Sequence, residues 1–330
     1  MRYAFLKLFY DIYRFVFYPL YRFYTDELVR KGKLPFFYNL YIKNRCNHVN
    51  HHTSSLNIIF MSDIHWGANF KISPLLVKRI IQKTNTTKVF SGGDVITESD
   101  INKLSMFSLW KQFTSSYYFL GCNFYQIYGN HDNNSFCQSN IEAVFSNEEV
   151  NSLLFIGDGK RFGSGYSYYT DDTSSTTRFI CLDTGKQNLD NNDYINIKKT
   201  LDSTPSNWHI IIFTHIILEW MDKCYQSKDY IIKLLMLLDD HNMNNSSKIE
   251  AILAGHIHND YHTETNGGIP IITIGADAYG VACGKYKKSL KPFSESSFVV
   301  LSFNYLEKKV FGTRIGRGDD FCFNLPNVNV

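Results

Sequence analysis

Five short polar motifs in a fixed order constrain this sequence more than anything else in it. They are Asp63-Ile64-His65, Gly93-Asp94, Gly129-Asn130-His131-Asp132, the lone His215, and Gly255-His256-Ile257-His258. All but Gly93-Asp94 follow a short run rich in Ile, Val, Phe or Tyr, and even Gly93-Asp94 follows Lys88-Val89-Phe90. Runs of that length and composition read as buried strands, so every polar cluster falls where a strand would end. Strand ends are where α/β proteins place their chemistry.

The same reading extends along the chain. Apolar and β-branched runs predict strands at 57–61, 88–91, 123–128, 178–182, 209–214, 250–254, 269–274, 298–303 and 309–315, and helical periodicity predicts helices at 74–83, 102–114, 141–145 and 228–238. Polar stretches at 170–177, 185–193 and 239–247 read as solvated connections. Strands alternating with helices and closing in strand pairs predict an α/β fold of two stacked sheets flanked by helices. At 330 residues and 44% hydrophobic content the chain can bury one large core.

The residue types in the motifs fit a pair of divalent cations. Manganese, iron and zinc accept mixed carboxylate, imidazole and amide oxygen donors. Two such ions about 3.5 to 4 Å apart clamp both the attacking and the leaving oxygen of an in-line phosphoryl displacement. Asp-x-His and His-x-His suit this, because residues two apart at a strand exit aim at one point.

In that order the motifs resemble those of the calcineurin-like metallophosphoesterase superfamily, over about residues 57 to 258 with strand-like sequence continuing to about 315. The resemblance implies a four-layer α/β/β/α sandwich and two divalent metal ions, Mn, Fe or Zn. One would be bound by Asp63, His65, Asp94 and His258, the other by Asp94, Asn130, His215 and His256. It further implies a metal-bridging hydroxide as nucleophile, and His131 as an unliganded general acid acting on the leaving oxygen. Asp132 would orient that imidazole, or else cap a following helix at 133–140. The Ser/Thr phosphatase branch is disfavoured, because Val95-Ile96-Thr97-Glu98 does not give its Asp-Arg-Gly pattern and Asp132 stands where that branch has Glu. Ser62 to His65 and the closing Arg314-Ile315-Gly316-x-Gly318 are more similar to bacterial and phage-type members. The implied activity is phosphate-ester hydrolysis, with a phosphodiester slightly favoured. A phosphomonoester, a lipid-linked pyrophosphate and, as substrate only, nucleic acid stay open, as does a non-catalytic metal-binding scaffold.

Outside the motifs, residues 1–24 are dense in aromatics, with Lys7, Asp11, Arg14 and Arg22 on one narrow helical stripe. Residues 1–42 read as an amphipathic helical extension, 43–55 as a linker and 56–330 as the catalytic domain. Interspersed charges exclude a spanning helix there, and the short apolar part with Pro19 argues against a cleaved leader. A peripheral membrane contact, a partner chain and the flank of the catalytic domain all stay open for this segment. Seven cysteines without a Cys-x-x-Cys pair fit a reducing, cytoplasmic setting, with membrane association as an option. A net charge of +3 is too small to imply nucleic acid. His48, His51 and His52 read as a linker cluster, His262 as a solvated hairpin position, and Lys285 to Lys291 as a basic, solvated loop. Arg317-Gly318-Asp319 is too short a match to carry an adhesion role.

Overall fold

The structure, a computed structural model, describes residues 27–67, 72–97, 102–135, 141–163, 165–185, 189–218, 228–277, 293 and 296–326. The aromatic segment 1–24 and the basic loop 285–291 lie outside the described residues.

Two sheets form the centre. The first runs β13 (Phe321–Asn324), β12 (Lys309–Gly316), β11 (Ser297–Asn304), β1 (Leu56–Met61), β2 (Lys88–Ser91), β3 (Phe124–Gln126). The second runs β4 (Lys160–Arg161), β5 (Tyr168–Asp172), β6 (Thr177–Cys181), β7 (His209–Phe213), β8 (Lys248–Ala254), β10 (Pro270–Thr273), β9 (Tyr261–Glu264). β1, β2 and β3 are mutually parallel, as are β6, β7, β8 and β10. Strands of like direction release their C-terminal ends on one rim, and that rim receives all five motifs.

The faces of the sheets explain the near-continuous apolar runs of β1, β2, β7 and β8, because strands covered on both sides need not alternate. Between the sheets lie Ile58, Phe60, Phe90, Phe179, Ile211, Phe213, Leu253 and Leu301, all fully buried. Phe90 stacks on Phe213 at 4.1 Å and tilts against Phe179 at 4.9 Å, tying β2 of one sheet to β6 and β7 of the other. Burying each such side chain stabilises the fold by about 1.5–3 kcal/mol. Helices α1 (Phe36–His51), α2 (Ser73–Ile81), α3 (Lys103–Tyr117) and α4 (Asn147–Leu153) contribute to the core on the outer face of the first sheet. Helices α5 (Asn191–Asp202) and α6 (Lys228–Asn244) do the same for the second. The layering is α/β/β/α, as the motif order implied.

Several local expectations need correction. Residues 43 to 51, read as linker, are the second half of α1, which buries Tyr38, Ile42, Cys46 and Val49. That stripe falls at spacings of four, four and three, one face of a helix, and the polar residues between point outward. Tyr41 accepts a hydrogen bond from the Gly316 amide at 2.8 Å, and Arg45 pairs with Asp320, so α1 is fastened to β12 and to the turn beyond it. The connection read at 170–177 is largely strand, since β5 and β6 form a hairpin there. The connection at 185–193 ends in α5, whose first turn is closed by a capping box of Asp190 and Asp193. The connection at 239–247 begins as the last turns of α6. The helix predicted at 141–145 is a short 3-10 turn over Ile141–Ala143. His262 is exposed on β9 of the β9–β10 hairpin, as expected, and stacks on Phe323 at 4.3 Å, while His52 stacks on Phe311 at 4.3 Å.

Candidate metal centre

Each motif residue is delivered by a strand that stops. After β1 the chain turns through Asp63 and His65, after β2 through Asp94, after β3 through Asn130 and His131, after β7 through His215, and after β8 through His256 and His258. Five of these residues hold positive φ, in the left-handed region that side chains usually avoid: Asp63 (52°), His65 (44°), Asp94 (51°), His256 (73°) and His258 (54°). Such conformations persist only where the surroundings over-determine them, and they gather at functional sites.

Main-chain bonds interlock the turns. The amides of Asp63 and His65 donate to the carbonyls of Gly93 and Asp94, each at 3.0 Å, and the Trp66 amide donates to Val95 at 2.8 Å. Across the sheets, the His256 amide donates to both Asp63 oxygens, at 3.2 and 3.1 Å. The crowding demands glycine. A Cβ on Gly129 would lie 2.1 Å from the Asp94 amide nitrogen, and one on Gly93 would lie 2.6 Å from His215 Nδ1.

The side chains converge into two groups that share one residue. Asp63, His65, Asp94 and His258 bring one donor atom each to within 4.8 Å of one another, and so do Asp94, His215 and His256. Asn130 joins the second group through His215, whose Nε2 lies 2.8 Å from Asn130 Oδ1. His215 Nδ1 bonds the Gly92 carbonyl at 2.7 Å, which aims Nε2 at Asp94, 3.1 Å from Oδ2. His258 Nε2 lies 3.2 Å from Asp63 Oδ1 and 3.4 Å from His65 Nε2.

This donor set fits divalent cations. Asp94 is fully buried, its Oδ1 takes the His131 amide at 2.9 Å, and its Oδ2 faces the imidazoles of His215 at 3.1 Å and His131 at 3.8 Å. A carboxylate buried this deeply is costly unless positive charge meets it, from a protonated imidazole or a metal cation. The titration behaviour reflects the crowding of opposite charges. Burial opposes ionisation of Asp94, yet the charges of His215, His131 and His65 hold its pKa below the ordinary value. Burial likewise opposes protonation of His215, but the Asp94 charge outweighs it and lifts the pKa to about 9. His256 goes the other way, to about 4, by burial and then by the His215 charge. Burial also lowers His65, leaving a neutral imidazole suited to ligation.

His131 stands apart from both groups. Its Nε2 is 3.8 Å from Asp94 Oδ2 and its side chain is 27% exposed, so the ring borders the metal cluster and solvent together. Asp132 is placed differently from either expectation. Its carboxylate accepts the amides of Gly129 at 2.7 Å, Val95 at 2.8 Å and Asp94 at 3.1 Å, so it braces the turn that presents Asp94 instead of orienting His131. Among the described residues it caps no helix either, for residues 131–134 form a tight turn closed by the Asn134 amide on the His131 carbonyl at 3.0 Å. Burial and then the Asp94 charge raise its pKa to about 7.

Sequence reasoning missed Thr184. Its hydroxyl accepts the amides of His215 at 2.9 Å and Ile216 at 3.0 Å, fixing the turn after β7. The signal was present, because Asp183-Thr184-Gly185 follows an apolar strand as the recognised motifs do. Two other marked segments lie away from the centre. His48 sits 3.5 Å from Asp320 on the α1 side, and Arg317 is buried, donating to the Ala276 carbonyl at 2.6 Å, which removes it from any adhesive surface.

Residues 56–260 match the family described as calcineurin-like phosphoesterase, over more than half of the chain. Among solved structures, a dimetal phosphatase from Danio rerio is similar in fold, with a TM-score of 0.55 at 13% identity, covering 82% of this chain and 99% of its own. PhoD is similar with a TM-score of 0.50 at 10% identity, covering 82% of this chain and 68% of its own. No curated relative matches the sequence.

Proposed function

The chain belongs to the calcineurin-like phosphoesterase family, and from that premise we propose that it hydrolyses phosphate esters, phosphodiesters by preference, at a centre of two divalent ions. Asp63, His65, Asp94 and His258 would hold one ion, and Asp94, Asn130, His215 and His256 the other. The observation that carries this reading is the shared position of Asp94, fully buried and common to both donor groups. When bound, the ions supply Lewis acidity to the phosphoryl oxygens and lower the pKa of water.

The chain's own residues do the rest. Asp94 supplies the charge that both cations need, and Asp132 and Thr184 hold the turns that aim the ligands. His131 is tethered through its amide to Asp94, while its ring reaches toward solvent where substrate enters. Its role is to hold a proton at Nε2 and pass it to the leaving oxygen. Such help matters most for a poor leaving alkoxide.

The test compares bis-p-nitrophenyl phosphate, p-nitrophenyl phosphate and an unactivated dinucleotide, after chelation and re-addition of Mn. Metal-dependent turnover is expected, abolished in Asp94→Asn. In His131→Ala the dinucleotide rate should fall about 100- to 10,000-fold, and nitrophenyl esters far less, since their leaving group needs little protonation. No turnover of any of these esters by a metal-loaded chain would support the scaffold reading instead, and preference for the monoester would move the substrate class.

A further inference from the structure

A second cavity, of about 420 Å³, opens at the opposite rim, where β7 and β8 begin. His209 starts β7 and His215 follows its end, six residues on at about 3.3 Å each, so cavity and metal cluster lie roughly 20 Å apart. Its walls carry Trp208, His209, Lys248, Lys308, Asn244 and Asn245. Among the described residues no acidic side chain lines it. Glu250, fully buried, contacts His209 and Lys308 from behind the wall.

The wall is built and held. Glu250 Oε1 bonds His209 Nδ1 at 2.6 Å, and the His209 ring stacks on Tyr305 at 3.5 Å. Tyr305 is anchored in turn by Thr177 at 2.9 Å. The imidazole is thereby fixed, with Nε2 as the nitrogen that Glu250 does not use. Asn242 pins the loop after α6 by bonding both the amide and the carbonyl of Ile249, at 2.7 and 2.8 Å. Lys308 comes from the other sheet, at the β11–β12 hairpin, with φ of 52°. A lysine where a turn would ordinarily take glycine or asparagine accepts backbone strain to put its ammonium there. That ammonium lies 3.6 Å from Glu250, too far for a hydrogen bond, while Glu250 Oε2 has no hydrogen-bond partner at all. Lys308 and His209 thus face one buried carboxylate, while the Lys248 ammonium donates to the Asn242 carbonyl at 2.6 Å, so the two lysines of the wall outnumber Glu250.

We propose that this cavity is a second ligand site, taking a small aromatic phosphate of the nucleoside monophosphate class. Lys248, Lys308 and His209 would receive the phosphate, Trp208 would stack on the ring, and Asn244 and Asn245, whose amide nitrogens donate to the Asp240 and His241 carbonyls, would offer their carboxamide oxygens to its edge. The volume is of the size such ligands occupy, and the contributions from both sheets mean that the bound molecule bridges them.

Trp208 makes the test direct. Metal-stripped protein is titrated with AMP while tryptophan emission is followed, with adenosine and inorganic phosphate as separate arms. A saturable quench is expected, with affinity reduced at least tenfold in Lys308→Gln and in Lys248→Gln, unchanged in Asp94→Asn, and with the signal lost in Trp208→Phe. Adenosine and phosphate should each bind at least tenfold more weakly than AMP, and AMP should raise the melting temperature of the parent chain but not of Lys308→Gln. Absence of a saturable quench below about 1 mM, or equal affinity in both lysine variants, overturns the site. Loss of binding in Asp94→Asn with retention in the lysine variants assigns the ligand to the metal rim and overturns it equally. Metal-dependent ester hydrolysis by Lys308→Gln stays at the parent rate, which separates the two readings.

Discussion

At the scale of single residues, Asp132 is the position where chemistry and architecture are easiest to confuse. It follows a histidine proposed as proton donor, yet its oxygens serve three backbone amides. Asp132→Asn keeps the shape but turns an amide NH2 toward those donors. A loss of about 1–3 kcal/mol is expected in urea unfolding of the stripped protein. Weaker Mn binding by calorimetry should accompany it, with the diester-to-monoester ratio unchanged. Gly129→Ala should be worse for metal loading than for folding, because its Cβ meets the Asp94 amide and carboxylate, at 2.1 and 2.2 Å. Its expected signature is a chain that melts cooperatively but no longer binds two equivalents of metal. A third residue tests linkage away from the centre. Burial holds His241 below its ordinary pKa, so the unfolded chain binds its proton more tightly than the folded one. Its contribution is intact above the unfolded value of about 6.5 and is lost as pH falls from there toward the lower folded value. Urea unfolding at about pH 7.5 and 5.5, with chelator present, should show a smaller acid loss in His241→Gln than in the parent.

At the scale of elements, legibility in the sequence followed how each element meets solvent. β1, β2, β7 and β8 are covered on both faces, so their Ile, Val and Phe runs stand out, and the turns that end them are the motifs. β13 and β9 are edge strands with exposed residues, and no continuous run announces them. α4 carried a readable signal in Ser146 and Glu149, which form a capping box, but its seven residues leave little room for periodicity. α1 shows the commonest failure. Its stripe of Tyr38, Ile42, Cys46 and Val49 was legible, but the Asn, Lys, Arg and His between made the stretch look like a linker. The packing makes a prediction at this scale. Ile42→Ala should cost about 2–5 kcal/mol, the usual range for emptying a buried aliphatic site. Because α1 leans on β12, amide exchange should rise at Val310 to Ile315 before it rises at β7.

At the scale of the whole molecule, two sheets meet face to face and lend the metal rim donors from both sides. Asp63, Asp94 and Asn130 come from one sheet, His215, His256 and His258 from the other, and the bond between the His256 amide and Asp63 crosses the seam. Among the described residues no helix is long and apolar enough to cross a membrane. α1 does show solvent a patch of Phe36, Phe37 and Leu40, 67%, 56% and 47% exposed. An exposed aromatic patch of this kind is where a peripheral membrane contact can be tested. Co-sedimentation with anionic vesicles is the check: Phe36→Ser with Phe37→Ser should reduce the bound fraction at least severalfold, and an unchanged fraction would remove α1 from the contact.

Five of the residues in the two donor groups sit at positive φ. Each conformation costs of order 1–3 kcal/mol in a non-glycine residue, so glycine at Asp63, His65, Asp94, His256 or His258 would ease the backbone while deleting a donor. Evolutionary pressure on heat tolerance and on catalysis must therefore pull in opposite directions here. A library selected only for thermal survival, in the presence of chelator, should enrich glycine and asparagine at these five positions, so that the sturdiest descendants of this chain are the inert ones.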